Sequence, residues 1–169
     1  FALALERLGY SMNTEKKDEL DQAAELLKEQ KPLVQAYVMD QIFDKMQGNE
    51  ATIAPYYVGD YFIMKKVNPD LACYVSDRAN VYFDATCIPK VSTQKEAAEM
   101  YINFLNEPNV ARENALYIMY STPNTAAWEL LPNDIKENEM LYPRKLDTTD
   151  RSFVHLSEAT NLYMDQLWV

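Results

Sequence analysis

The stretch NVYFDATCIPK, residues 80–90, sets one carboxylate, Asp84, in the middle of a run suited to a buried β-strand. Val81, Phe83, Thr86, Cys87 and Ile88 fit a pleated, mostly buried ribbon, and Tyr82 stands two positions before the aspartate. An ionised carboxylate removed from water is costly unless a cation or hydrogen-bond donors meet it. Asp84 is therefore expected to face either a partner inside the protein or a bound cation. The same residue types recur at Tyr56, Tyr57, Asp60 and Tyr120, at the ends of expected strands. Strand ends and loops are where α/β sheets bind ligands. A purely structural reading is also open: tyrosines fill core edges, and Asp60 caps the helix that follows Gly59. That reading explains Asp84 least well.

Other chemistries lack their residues. Three glycines in the chain leave no room for a dinucleotide fingerprint or a phosphate loop. A single histidine, His155, with no G-x-S-x-G, gives no serine triad. The carboxylates Asp18, Glu19 and Glu25 read as a solvated helix face, and no glycosidase-type pair stands out. No enzyme is expected. Cys73 and Cys87 are expected as two free core thiols; sequence cannot assign a disulfide, and His155 lies too far along the chain to suggest a metal site.

The elements that must position these residues can be read from periodicity. FALALERLG is expected as a helix end capped by Gly9, and EKKDELDQAAELLKEQ as an amphipathic helix with Leu20, Ala23, Ala24 and Leu27 on one face. PLVQAYVM, ATIAPYY, LACYV and NVYFDATCI read as strands. DQIFDKMQ, ended by Gly48, and YFIMKKV, after Gly59-Asp60, read as helices, and Asn68-Pro69-Asp70 as a turn. Beyond Pro89 the pattern is helical. TQKEAAEMYINFLNE opens with a capping box, Thr93 to Glu96, and places Ala98, Tyr101, Ile102 and Leu105 on one face. NVARENALYIM, NTAAWELL and SEATNLYMDQLW follow, the last with Ala159, Leu162, Tyr163 and Gln166 together. Short strands interleaved with helices predict an α/β protein.

The 169 residues are 48% hydrophobic and 12% aromatic, enough for a sizeable core. Against 16 basic residues stand 26 acidic ones, a formal charge of −10 that disfavours nucleic acid and anionic membrane and attracts cations. No apolar run approaches the ~20 residues that span a bilayer. FALALERLGY, interrupted by Glu6 and Arg7, does not read as a signal peptide, and a chain starting at Phe1 is expected to be processed or part of a longer one.

Read together, GNEATIAPYYVGDYF, NVYFDATCIPK, INFLNEPNVARENA and MYSTPNTAAWELL resemble, in order and spacing, the spermidine/putrescine-binding proteins of ABC transporters. The resemblance runs from Phe1 to Val169. It implies a periplasmic-binding-protein-like lobe of type II, with a mixed, mainly parallel sheet flanked by helices, and a chain incomplete relative to the two-lobed family. Residues 1–82 and 129–169 would form the second lobe, lacking its first strand. Residues 83–128 would be the crossover segment that belongs with the first lobe. The implied protein is an extracytoplasmic, non-enzymatic receptor that traps a polyamine between its lobes and delivers it to an ABC permease. No cofactor or metal is implied.

In that resemblance Asp84 matches the strand carboxylate that pairs with an amine, Tyr57 and Tyr82 match walls that are tryptophan in several members, and Tyr120 matches a tyrosine reaching the cleft. Asp60 belongs to the same acidic and aromatic group. Tyrosine at 57 and 82 weakens the expected cation–π contact. The family's acidic grips upstream of Phe1 fall outside this sequence, and Phe153 stands where some members carry a polar residue. The missing lobe part implies an exposed apolar surface and self-association through it. Two rivals stay open: the same fold with another solute, or an acidic interaction domain in which Asp84 pairs with a lysine or arginine of its own chain.

Overall fold

A computed structural model of the chain describes residues 1–144 and 151–168, so 145–150 and Val169 of the expected second lobe lie outside the described residues. These residues fall into two compact units. The first lies within Phe1–Tyr37, Ser76–Phe83 and Asp147–Val169, the second within Val38–Val75 and Asp84–Leu146.

The first unit is built on α1 (Ala2–Leu8), α2 (Lys17–Gln30), a 3-10 turn (Lys31–Leu33) and a C-terminal helix, α9 (Glu158–Leu167). Helix α1 stops where expected. Gly9 takes the left-handed conformation, φ 83°, and its N–H reaches the Glu6 carbonyl while Tyr10 reaches that of Leu5. Those two bonds close the last turn in the Schellman arrangement. A Cβ at Gly9 would meet nothing within 4 Å. Gly9→Ala is thus expected to cost about 1–2 kcal/mol, purely through its backbone conformation, readable as a lower urea midpoint with unchanged circular dichroism.

Helix α2 buries Leu20, Ala23 and Ala24, as its periodicity predicts, against Ala4 and Leu5 of α1. Helix α9 differs from expectation. Tyr163, Met164 and Leu167 pack on this core and Thr160 is buried, whereas Ala159, Leu162 and Gln166 are exposed. The reason lies at its first turn. Ser157 caps the helix by accepting from the Thr160 N–H, and the Glu15 carboxylate accepts from the Ser157 N–H (3.2 Å), the Ser157 hydroxyl and the Thr160 hydroxyl (2.6 Å). Anchoring Thr160 inward turns the apolar face by about one residue, or ~100°.

The Ser157 hydroxyl first, then the Thr160 hydroxyl and the Ser157 N–H, hold the Glu15 carboxyl below its ordinary value of 4.5. A lowered folded-state pKa contributes stability above the unfolded value, lost as pH falls through the folded one. Wild type is therefore expected to lose more melting temperature than Glu15→Gln between about pH 5 and pH 3. Parallel slopes in the two melting series would show that Glu15 carries no such linkage.

The second unit contains α3 (Ile42–Gln47), α4 (Val58–Val67), α5 (Lys95–Leu105), α6 (Pro108–Ile118), α7 (Thr125–Glu129) and α8 (Asn133–Lys136). Its buried apolar residues include Ile42, Met64, Ala115, Ala127, Leu131 and Leu141. Buried Asn68 ties the ends of α3 and α4 together, donating to the Met46 carbonyl (3.1 Å) and Asn49 Oδ1 (2.9 Å). Pro108 opens α6, and Asn124 caps α7 by accepting from the Ala127 N–H at 3.1 Å. The expected capping box on α5 is not formed. The helix begins at Lys95 with Gln94 as its cap residue and no side-chain cap bond, which leaves Thr93 one position out of register. Of its expected face, Ala98, Ile102 and Leu105 are half-buried and Tyr101 is exposed.

The expected strands are the largest difference. Among the described residues PLVQAYVM, ATIAPYY, LACYV and NVYFDATCI form no β-strand. The Val81 N–H donates to the Arg151 carbonyl at 2.7 Å. A strand is stabilised by a neighbour that takes its N–H and C=O groups and covers a face. Here the segments lie open: Tyr74 is 85% and Phe83 78% exposed. Cys87, expected in a core, is exposed for the same reason, while Cys73 is half-buried; both thiols are free, and burial pushes that of Cys73 up.

Candidate functional site: carboxylates along a tyrosine row

The site is assembled in the second unit around the start of α4. Tyr57 is extended, φ −81° and ψ 142°, and the helix begins at Val58. Gly59 and Asp60 are therefore its second and third residues, so Asp60 does not act as the cap that the structural reading proposed. Its carboxylate sits in the first turn, where the helix dipole favours negative charge. There it accepts the Tyr120 hydroxyl at 2.8 Å.

Tyr120 reaches Asp60 because of how α6 ends. Met119 takes the left-handed conformation, φ 58°, immediately after Ile118. Tyr120 then lies against α4 so closely that a Cβ on Gly59 would stand 2.1 Å from its Cδ1 and 2.6 Å from the Met119 carbonyl oxygen. Only a residue without a side chain fits there.

The aromatic rings continue in a row. Tyr120 and Tyr57 have centroids 6.4 Å apart, Tyr57 and Tyr56 5.2 Å, and Tyr56 meets Phe43 edge-on at 5.7 Å. At the far end the Tyr56 hydroxyl donates to Asp40 Oδ1 at 3.3 Å. Burial first, then the charges of Asp40 and Asp60, raise the Tyr56 phenol above its ordinary 10.0, so it stays a neutral donor at neutral pH. Among the described residues no ion pair reaches Asp40 or Asp60. The group thus offers two carboxylates, phenol oxygens and ring faces to a cation.

Of the expected site residues, Tyr57, Asp60 and Tyr120 come together. Tyr82 lies in the first unit, 39% exposed. Asp84 is exposed, which corrects the expectation of a buried carboxylate: the strand that was to bury it is not formed. Nor does a lysine or arginine among the described residues pair with it. Sequence reasoning missed Asp40, Phe43 and Gly59. For Gly59 a signal existed, since glycine inside a helix costs stability relative to alanine and its presence often marks a close approach. Asp40 carried no periodic signal.

No protein-family model matches the chain. The spermidine/putrescine-binding periplasmic protein of Salmonella typhimurium strain LT2 is 34% identical over 144 residues, covering 85% of this chain and 41% of the relative. The chain is homologous to the spermidine/putrescine-binding periplasmic proteins. Solved structures agree. The spermidine/putrescine ABC transporter substrate-binding protein PotD from Streptococcus pneumoniae superposes with a TM-score of 0.81 at 32% identity, over 99% of this chain and 52% of that one. A putative spermidine/putrescine ABC transporter protein from Listeria monocytogenes gives 0.82 at 34%, with the same coverage. The backbone therefore follows the fold of ABC substrate-binding proteins although its described residues carry no strand. The chain spans about half the length of these spermidine/putrescine-binding relatives.

Proposed function

We propose that the protein is the extracytoplasmic solute receptor of a polyamine ABC transporter, capturing spermidine or putrescine between two lobes and delivering it to the permease. The observation that carries this reading is the row Tyr56–Tyr57–Tyr120 with Asp40 and Asp60 along it, neither carboxylate being paired with a lysine or arginine among the described residues. Each ammonium meeting a carboxylate contributes roughly 1.5–3 kcal/mol. The methylene stem lies on ring faces, and the cation–π contact adds about 0.5–2 kcal/mol. Homologues named for spermidine and putrescine binding support the same ligand class.

In this proposal Asp84 and Tyr82 join the site, Asp84 as an amine anchor and Tyr82 as a wall. Residues 83–128 pack with the first lobe, and 1–82 with 129–169 form the second, on a mixed, mainly parallel sheet. The bare segments 71–75 and 80–88 are then strands whose neighbours come from other parts of the two-lobed fold. Helix α5, which buries no residue, is consistent with a segment covered from elsewhere. A surface so open also favours self-association of this chain on its own.

The test is thermal. In the full-length gene product, spermidine and putrescine are expected to raise the melting midpoint progressively, with the logarithm of their concentration once it exceeds Kd, by mass action on the folded state. Phosphate and maltose at equal ionic strength are expected to leave it unchanged. A shift by either of those instead of the amines would move the ligand to another class.

A further inference from the structure

We infer that Gly59 is a positioning residue of the polyamine site: its missing side chain seats Tyr120 on the first turn of α4 and so fixes the Asp60 carboxylate. The inference rests on the polyamine reading for its ligand, and on geometry for everything else. A Cβ at position 59 overlaps the Tyr120 ring at 2.1 and 2.4 Å and the Met119 carbonyl oxygen at 2.6 Å. The far end of a flexible chain could swing away from such a clash; a ring and a backbone carbonyl cannot do so without moving the segment. Gly59 has no need of glycine for its backbone, since its φ is an ordinary helical one. What it provides is space.

That space has a chemical consequence. With Tyr120 seated, its O–H donates to Asp60 Oδ2 at 2.8 Å, which holds the carboxylate in one orientation. Oδ1 is left as an acceptor for an ammonium. A hydrogen-bond chain of this kind strengthens each of its members. The left-handed Met119 aims the segment, and Gly59 lets it arrive. Moving Tyr120 outward also breaks its contact with Tyr57 at 6.4 Å, so a wall and an anchor are lost together.

The experiment has a readout with ligand and one without. In the full-length gene product with 13C-labelled tyrosine, the Tyr120 Cζ resonance, assigned from Tyr120→Phe, is compared in wild type, Asp60→Asn and Gly59→Ala. Spermidine affinity is measured on the same proteins and on Gly59→Ala/Tyr120→Phe. Gly59→Ala is expected to fold, to move the Tyr120 resonance, and to weaken spermidine about tenfold or more, the loss of one hydrogen bond to a charged group. Adding Tyr120→Phe to it is expected to cost little further, because both changes act on one contact. An unmoved resonance, fully additive losses, or wild-type affinity in Tyr120→Phe would overturn the assignment. So would a Gly59→Ala chain that does not fold, which would make Gly59 a structural residue only. If wild type binds no polyamine the ligand assignment fails, and the resonance alone still decides whether Gly59 sets Tyr120.

Discussion

Leu20→Ala is expected to lower the stability of the first unit by about 2–5 kcal/mol, the range for removing a fully buried leucine. Leu20 and Leu5 are each 1% exposed and are the largest fully buried side chains of the described residues. The other buried members of their cluster are Ala4 and Ala23, and Phe1, Tyr10, Leu26, Leu27, Tyr163, Met164 and Leu167 pack around it. Set against the about 5–15 kcal/mol that a domain usually has, the change takes a large share. Each unit carries one tryptophan, Trp168 in the first and Trp128 in the second. Trp168 packs against Phe1 and Tyr37, at 6.0 and 5.2 Å, and reports the unit that Leu20 supports. In a Trp128→Phe background its fluorescence is expected to change at a much lower urea concentration in Leu20→Ala. Leu33→Ala, at a side chain 86% exposed, is expected to stay within about 0.5 kcal/mol. Equal midpoints for the two substitutions would mean that α1, α2 and α9 do not share a core.

Asp60→Asn is expected to reduce polyamine affinity by roughly ten- to a hundredfold, the value of a hydrogen bond between charged groups. The substitution keeps the shape and an oxygen that accepts the Tyr120 hydroxyl, so the local packing stays while the charge goes. A rival account is available, in which polyamines are drawn by the chain's overall charge of −10. Salt decides between them. Exposed charges are largely screened beyond about 8 Å at physiological ionic strength, whereas a contact pair is screened much less. On the local account Asp134→Asn, which removes an equal charge outside the cluster, leaves affinity within about twofold at 0.15 M salt. A loss as large as that of Asp60→Asn would favour the diffuse field.

Helices were the legible part of this fold. Leu20, Ala23 and Ala24 recur at helical spacing in α2 and bury as that spacing requires, and Gly9 and Pro108 stand where a helix ends and another begins. Such signals are local, since a helix satisfies its own backbone. The strands were not legible in the same sense. Val81, Phe83 and Ile88 have the right propensity, but propensity for a strand is fit to a neighbouring strand and a covered face. Asp84 was expected to be buried on the strength of that same strand, and it is exposed with it. The face of α9 was misread because Glu15, some 140 residues earlier in the chain, decides which way Thr160 points. In the site, Tyr57, Asp60 and Tyr120 could be named from residue type, while Asp40 and Gly59 depend on close approaches between segments that no spacing announces.

The most direct test of polyamine capture is calorimetric titration of spermidine and putrescine into the full-length gene product, with Asp84→Asn beside it. The account predicts saturable one-to-one binding by wild type that Asp84→Asn largely loses. Absence of saturable binding by either amine to the folded wild-type protein would contradict it.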